Sequence, residues 1–130
     1  MELRLRALPE PLAICRLPAD ADVPPWAVTA RFFSVTRTED ELSVVCPESV
    51  LPKVLPPEIR REAGWRALKI QGPLDFSLTG VLASLVSPLA EAGIPIFALS
   101  TFDTDYLLLR AEQLEAVIET LRAAGHRVED

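Results

Sequence analysis

Two apolar runs separated by a polar, acidic hinge dominate the stretch from Ile94 to Leu109. Ile94 to Leu99 forms the first run, Ser100-Thr101-Phe102-Asp103-Thr104-Asp105 the hinge, and Tyr106 to Leu109 the second. A fainter copy lies about 65 residues earlier, where Arg31 to Val35 and Leu42 to Cys46 flank the polar residues Thr36 to Glu41. Short apolar runs bounded by turn-forming residues read as strands. The chain is therefore expected to hold two related hairpins in two related modules, with a seam between them where a ligand could sit.

The remaining pattern extends this plan. Glu2 to Ala7 and Leu12 to Leu17 read as strands, and Pro9 and Pro11 between them predict an opening hairpin. In the polar segment Pro18 to Pro25, Asp20 or Asp22 is placed to cap a helix of about two turns carrying Trp26, Ala27 and Val28. Strands at Phe32 to Thr36 and Leu42 to Cys46 follow, and Pro47 to Leu55 has room for one more short helix. Pro56, Pro57 and the charged residues from Glu58 to Gly64 read as a connector, which sets a boundary near residue 60 and two modules of 1–60 and 61–130.

Past the connector, Trp65 to Ile70 is a strand stopped by Gly72-Pro73. Ser77 or Thr79 can cap a helix from about Thr79 to Ala92, in which Val81, Leu82, Leu85, Val86, Leu89 and Ala90 recur at three- and four-residue spacing. Gly93 is placed to end it. Ile94 to Leu99 and Tyr106 to Leu109 read as strands buried on both faces. Glu112 to Ala124 is a second helix with Leu114, Val117, Ile118 and Leu121 on one side, and His126 to Val128 is a last short strand. Strand, helix, strand, strand, helix, strand is the order of a ferredoxin-like βαββαβ unit. The expected fold is α+β: two such modules packed side by side, antiparallel sheets with helices on one face, the first module with a shortened first helix and an added leading strand.

Composition narrows the function. At 130 residues the chain suits one ordinary domain or two very small ones sharing a core. Its longest apolar stretch, Leu78 to Ala90, is interrupted by polar residues and Pro88, and falls short of the roughly 20 residues a bilayer span needs. The start of the chain lacks an apolar signal core, so a cytoplasmic protein is expected. A net charge of -6 argues against nucleic acid as a partner, since that affinity rests on clustered Lys and Arg. Arg60, Arg61 and Arg66 are the one local basic cluster and read as a solvated linker. Cys15 and Cys46 have no CxxC spacing and read as small buried hydrophobes.

Catalytic signatures are missing from the sequence. His126 is the sole histidine and no pattern ties it to a Ser or Cys nucleophile. There is no HExxH, GxGxxG or Walker loop, so no metal and no cofactor is expected.

The segment Ala90-Glu91-Ala92-Gly93-Ile94-Pro95-Ile96, followed by Ser100-Thr101-Phe102-Asp103-Thr104-Asp105-Tyr106-Leu107-Leu108, resembles the ACT domain. Within that family it is similar to bacterial tandem-ACT proteins related to the CASTOR arginine sensors and to the aspartate kinase regulatory region. The resemblance is strongest from Trp65 to Arg110 and at Thr36 to Val45, and weakest from Met1 to Ala30. It implies a non-catalytic regulator that holds a free amino acid between two ACT modules. By resemblance the ligand residues are Gly80 at the helix start, Thr101, Phe102, Thr104 and Asp105 in the hinge, and Ser43 and Val44 in the first module.

The chemistry of such a ligand suits these residues. An α-carboxylate needs an anion cradle, and the loop Asp75-Phe76-Ser77-Leu78-Thr79-Gly80-Val81 leads into a helix whose first N–H groups can donate to it. Phe76, Leu78, Gly80 and Val81 are the loop residues assigned to the site. An α-ammonium needs a carboxylate, for which Asp105 is the first candidate and Asp103 the second. Arginine-binding relatives are expected to carry an acidic residue one turn into the helix, where this chain has Ala83, so the amino acid is not specified. Two rival readings stand beside this one. One is an oligomerisation or interaction module without ligand, most simply a homodimer or a docking unit for a regulated protein. The other is a small enzyme using Asp103 and Asp105. On pattern alone both aspartates are ordinary turn residues.

Overall fold

The computed structural model describes residues 1–72 and 79–130. The elements run β1 (Arg4–Ala7), β2 (Leu12–Leu17), β3 (Ser34–Arg37), β4 (Leu42–Pro47), β5 (Arg60–Ile70), α1 (Val81–Glu91), β6 (Phe97–Ser100), β7 (Asp105–Arg110), α2 (Leu114–Ala123) and β8 (Arg127–Glu129). They form an α+β fold. Contacts divide the chain into two compact units, one of residues Glu10–Trp65 and one of Met1–Pro9 with Arg66–Asp130. The expected boundary at residue 60 differs from this division in two respects: β1 belongs with the later residues, and the charged connector is itself strand.

In the unit of residues 10–65 the strand order is β3-β4-β2-β5, every neighbour antiparallel. By sequence position that is second, third, first, fourth, the ferredoxin-like order. Where helices are expected, however, the chain makes only single 3-10 turns, at Pro25–Val28 and Glu48–Val50. Prolines explain the second: Pro47 precedes it and Pro52 follows closely, leaving no room for a helix-length run of N–H donors, whereas Pro24 and Pro25 set only where the first turn begins. Neither Asp20 nor Asp22 caps the first turn, which starts at Pro24 without a side-chain cap. The Arg37 guanidinium holds that loop instead, donating to the carbonyls of Ala19 and, at 2.7 Å, Ala21. The core under these turns is thin and made of small side chains: Ala13, Cys15, Ala27, Val44 and Cys46 with Leu17 and Leu42.

The connector's conversion to strand requires a bulge. Leu12 pairs with Trp65 but Ile14 with Glu62, so two steps on β2 face three on β5. Gly64 lies at this point with φ 84, a left-handed conformation open to glycine. Its N–H donates to Glu48 Oε2 at 2.6 Å.

The second unit orders its strands β8-β1-β5-β7-β6. Here the expectation of an opening β1–β2 hairpin is corrected. β1 is antiparallel to β5 and parallel to β8, and lies between them as an extra strand in an otherwise βαββαβ sheet. The cause is the core: Leu3 and Leu5 are buried with Leu68, Ile70, Leu107, Leu109 and Val128, whereas β2 sends Ala13, Cys15 and Leu17 into the other core. Val81, Leu85 and Leu89 of α1 and Val117, Ile118 and Leu121 of α2 cover the same sheet face. β6 begins at Phe97, later than Ile94, and is only half-buried because it is an edge strand; β7 buries Leu107, Leu108 and Leu109.

Pro88 lies inside α1. Having no N–H, it cannot bond the Ser84 carbonyl four residues back. His126, 5% exposed, replaces that bond: its Nε2 is 3.1 Å from Ser84 O, and its Nδ1 is 3.1 Å from the Leu3 nitrogen. Leu3 N–H can only donate, so Nδ1 accepts and Nε2–H donates to the carbonyl. His126 is thus a two-sided tie between α1 and the residue before β1.

Candidate functional site

The hinge is a tight turn with Phe102 and Asp103 at its tip. Thr101 N–H donates to the Thr104 carbonyl at 2.8 Å, and the Thr101 hydroxyl donates to that carbonyl at 3.1 Å and accepts from Thr104 N–H at 3.3 Å. Thr104 itself is buried, at 4% exposure, and its hydroxyl donates to the Ile70 carbonyl at 2.8 Å. That bond ties the hinge to the last residue of β5, where the chain departs toward α1.

Asp105 faces Ser100 across the β6–β7 pair. The Ser100 hydroxyl donates to Asp105 Oδ1 at 2.5 Å, which fixes the half-buried carboxylate and leaves its second oxygen to other partners. Ser100 was not among the residues assigned to the site. Hairpin register gives the signal for it: with a two-residue tip at Phe102-Asp103, residue 100 must oppose residue 105. Asp103 is exposed at the tip, and Phe102 is 79% exposed.

Gly80 starts α1 with φ 78. A Cβ there would meet nothing within 4 Å, so the need for glycine is conformational and not steric. The expected cap by Thr79 is absent, and Ser77, Phe76 and Leu78 lie outside the described residues. α1 thus begins with no side-chain cap and no acidic residue in its first turn. Uncapped N–H groups and the positive end of the helix dipole favour an anion there. Val81 sends its side chain into the core with Ile70 and Leu107, so only its backbone N–H can face a ligand. Ala83 is exposed on that first turn.

Ser43 and Val44 lie on β4 of the other unit. Val44 is 0% exposed, and its strand pairs with β3 on one side and β2 on the other, which commits its backbone groups to the sheet. Ser43 projects to the opposite face of that strand and is half-buried. The hinge residues and the start of α1 belong to one unit, and Thr104 ties the hinge to the end of β5. Ser43 and Val44 belong to the other.

The two cysteines share the thin core. Burial, and then the neighbouring Cys15, push the Cys46 thiol up from 9.0 to about 11. Burial also raises Cys15, partly opposed by the nearby Arg61 guanidinium. Neither is a nucleophile at neutral pH.

A family model for the ACT domain matches residues 60–123, spanning β5, α1, the hinge and α2. A second model, for an N-terminal domain, matches residues 10–54. The chain is 32% identical over 98 residues to the cytosolic arginine sensor for mTORC1 subunit 1 of Bos taurus, and 31% to that of Homo sapiens, covering 70% of this chain and 30% of each relative. It therefore spans under a third of the length of those relatives. A solved protein from Agobacterium tumefaciens is 41% identical, with a TM-score of 0.89 over 98% of this chain and 92% of that one. The regulatory subunit of aspartate kinase from Thermus thermophilus, at 16% identity, has a TM-score of 0.61 over 93% of this chain and 96% of its own, and shows a shared fold. The likeness over β5, α1 and the hinge agrees with the strand order of that unit: residues 60–123 belong to the ACT-domain family.

Proposed function

We propose that this protein is a non-catalytic regulatory sensor that binds a free amino acid at the uncapped start of α1 and the Ser100–Asp105 hinge. The observation that carries this reading is the hinge itself. Thr104 anchors it to Ile70 and Ser100 orients Asp105, so a carboxylate with a spare oxygen is held on the unit whose α1 starts without a side-chain cap among the described residues. An amino acid's ammonium would bind Asp105 and its carboxylate the first turn of α1. Gly80, Thr101 and Phe102 would shape the wall.

Similarity to cytosolic arginine sensors supports an amino acid as ligand. The lack of an acidic side chain in the first turn of α1, with Ala83 exposed there, favours one with an uncharged side chain over arginine. The test is a melting-temperature screen of the full chain against the twenty amino acids. A ligand that prefers the folded state must raise the transition as its concentration exceeds Kd. A rise with one or a few amino acids supports the reading. No rise with any of them, in a chain that self-associates, supports an interaction module instead.

A further inference from the structure

We propose that the helix-free face of the sheet in residues 10–65 carries a separate oxyanion site, formed by one row of side chains across all four strands. The register sets Thr36 opposite Ser43, Ser43 opposite Arg16, and Arg16 opposite Arg60. Directly opposed residues share a sheet face, so two hydroxyls and two guanidiniums stand side by side along roughly 14 Å, at about 4.8 Å per strand. The 3-10 turns and the small-residue core cover the other face, where Cys15 and its opposite residue Arg61 point.

Placing like charges directly opposite one another is destabilising in a sheet. Arg16 and Arg60 are so placed, and both are exposed. Among the described residues, Arg60 has no ion pair and the hydroxyls of Thr36 and Ser43 have no side-chain hydrogen bond. Arg16 is oriented by one bond, from its Nη2 to the Asp40 carbonyl at 2.9 Å, and keeps its other donors. The carboxylate of Glu62 falls in the next row, opposite Ile14. A row of unspent donors with doubled positive charge, in a chain of net charge -6, suits a phosphate or carboxylate group bridging the two guanidiniums, with the Ser43 hydroxyl as a further donor. The arginine cluster that reads from sequence as a solvated linker is split by strand alternation: Arg60 joins this row and Arg61 faces away.

The experiment is a thermal melt of the full chain in increasing inorganic phosphate, with sodium chloride at matched ionic strength and succinate as a carboxylate arm. A saturable rise in melting temperature with phosphate or succinate, beyond that with chloride, is expected. Which of the two is more effective identifies the source of the oxyanion. Arg60→Gln is expected to melt no lower than the parent without anion, because the opposed charge is gone, and to lose the anion response. Arg31→Gln, an exposed arginine outside the row, is expected to keep it, as is Asp105→Ala, which separates this site from the proposed amino-acid site. A response equal to that of chloride, or one that survives Arg60→Gln, overturns the proposal.

Discussion

Apart from β1, which is inserted between β5 and β8, the unit of residues 10–65 and the unit containing residues 66–130 arrange their strands in the same order, yet only the second carries α-helices. In the second, α1 and α2 contribute large side chains to a core of leucines, isoleucines and valines. In the first, single 3-10 turns cover a core whose fully buried members include Ala13, Ala27 and Cys46. Strand order is thus independent of helix length, whereas the depth of the core is not. The helical unit is also the one with a helix start and an anchored acidic hinge.

The largest expected effect probes that difference in depth. Leu85→Ala, at a fully buried position in α1, is expected to cost roughly 2–5 kcal/mol. Cys46→Ala in the thin core removes one atom and is expected to cost less. Urea unfolding of both variants measures this, and equal losses would break the contrast between the two cores.

Next comes His126→Ala, which strips partners from the Ser84 carbonyl and the Leu3 N–H. The expected cost is about 2–6 kcal/mol, since each of the two buried unsatisfied groups costs roughly 1–3. Pro88→Ala restores an N–H to the helix, so adding it to His126→Ala is expected to recover part of the loss. A double-mutant cycle showing no such recovery would contradict the tie described for these two residues.

Thr104→Val keeps the shape of the side chain but loses its bond to Ile70, for an expected cost of about 1 kcal/mol. It is also expected to weaken any ligand of the hinge. The smallest effect is a pH dependence of the thin core. Cys46 is raised on folding, so the unfolded chain releases its thiol proton first as pH climbs. Stability is therefore fully present below about pH 9 and falls as pH rises toward about 11. The loss is expected to shrink in Cys46→Ala to the part that the raised Cys15 contributes, as read from urea midpoints across that range.

How much of this was legible in the sequence depended on whether the cause was local. The strand β2 and the periodic faces of α1 and α2 followed from alternation and three- and four-residue spacing. The hinge also stood out, because two apolar runs around a polar turn leave one arrangement. The place of β1 did not, since Leu3 and Leu5 suit either core and the choice lies in long-range packing. Pro47 and Pro52 signalled that the helix between them would fail, whereas the shortness of the turn at Trp26 had no such local signal. Glu58 to Gly64 read as a linker by charge. The exposed first half of β5 tolerates that composition once Gly64 provides the bulge. In the candidate site, Asp105 was singled out through the family resemblance, since by residue type alone it is an ordinary turn residue, and its partner Ser100 and the buried role of Thr104 required the register.

Calorimetric titration of the amino acid selected by the melting screen into the parent chain and into Asp105→Ala tests the central claim most directly. The parent is expected to bind, and the variant to bind about tenfold or more weakly at an unchanged melting temperature, as befits a hydrogen bond to a charged group worth roughly 1.5–3 kcal/mol. Equal affinity in the two proteins would contradict the assignment of Asp105, and the absence of binding heat from the parent would contradict the sensor.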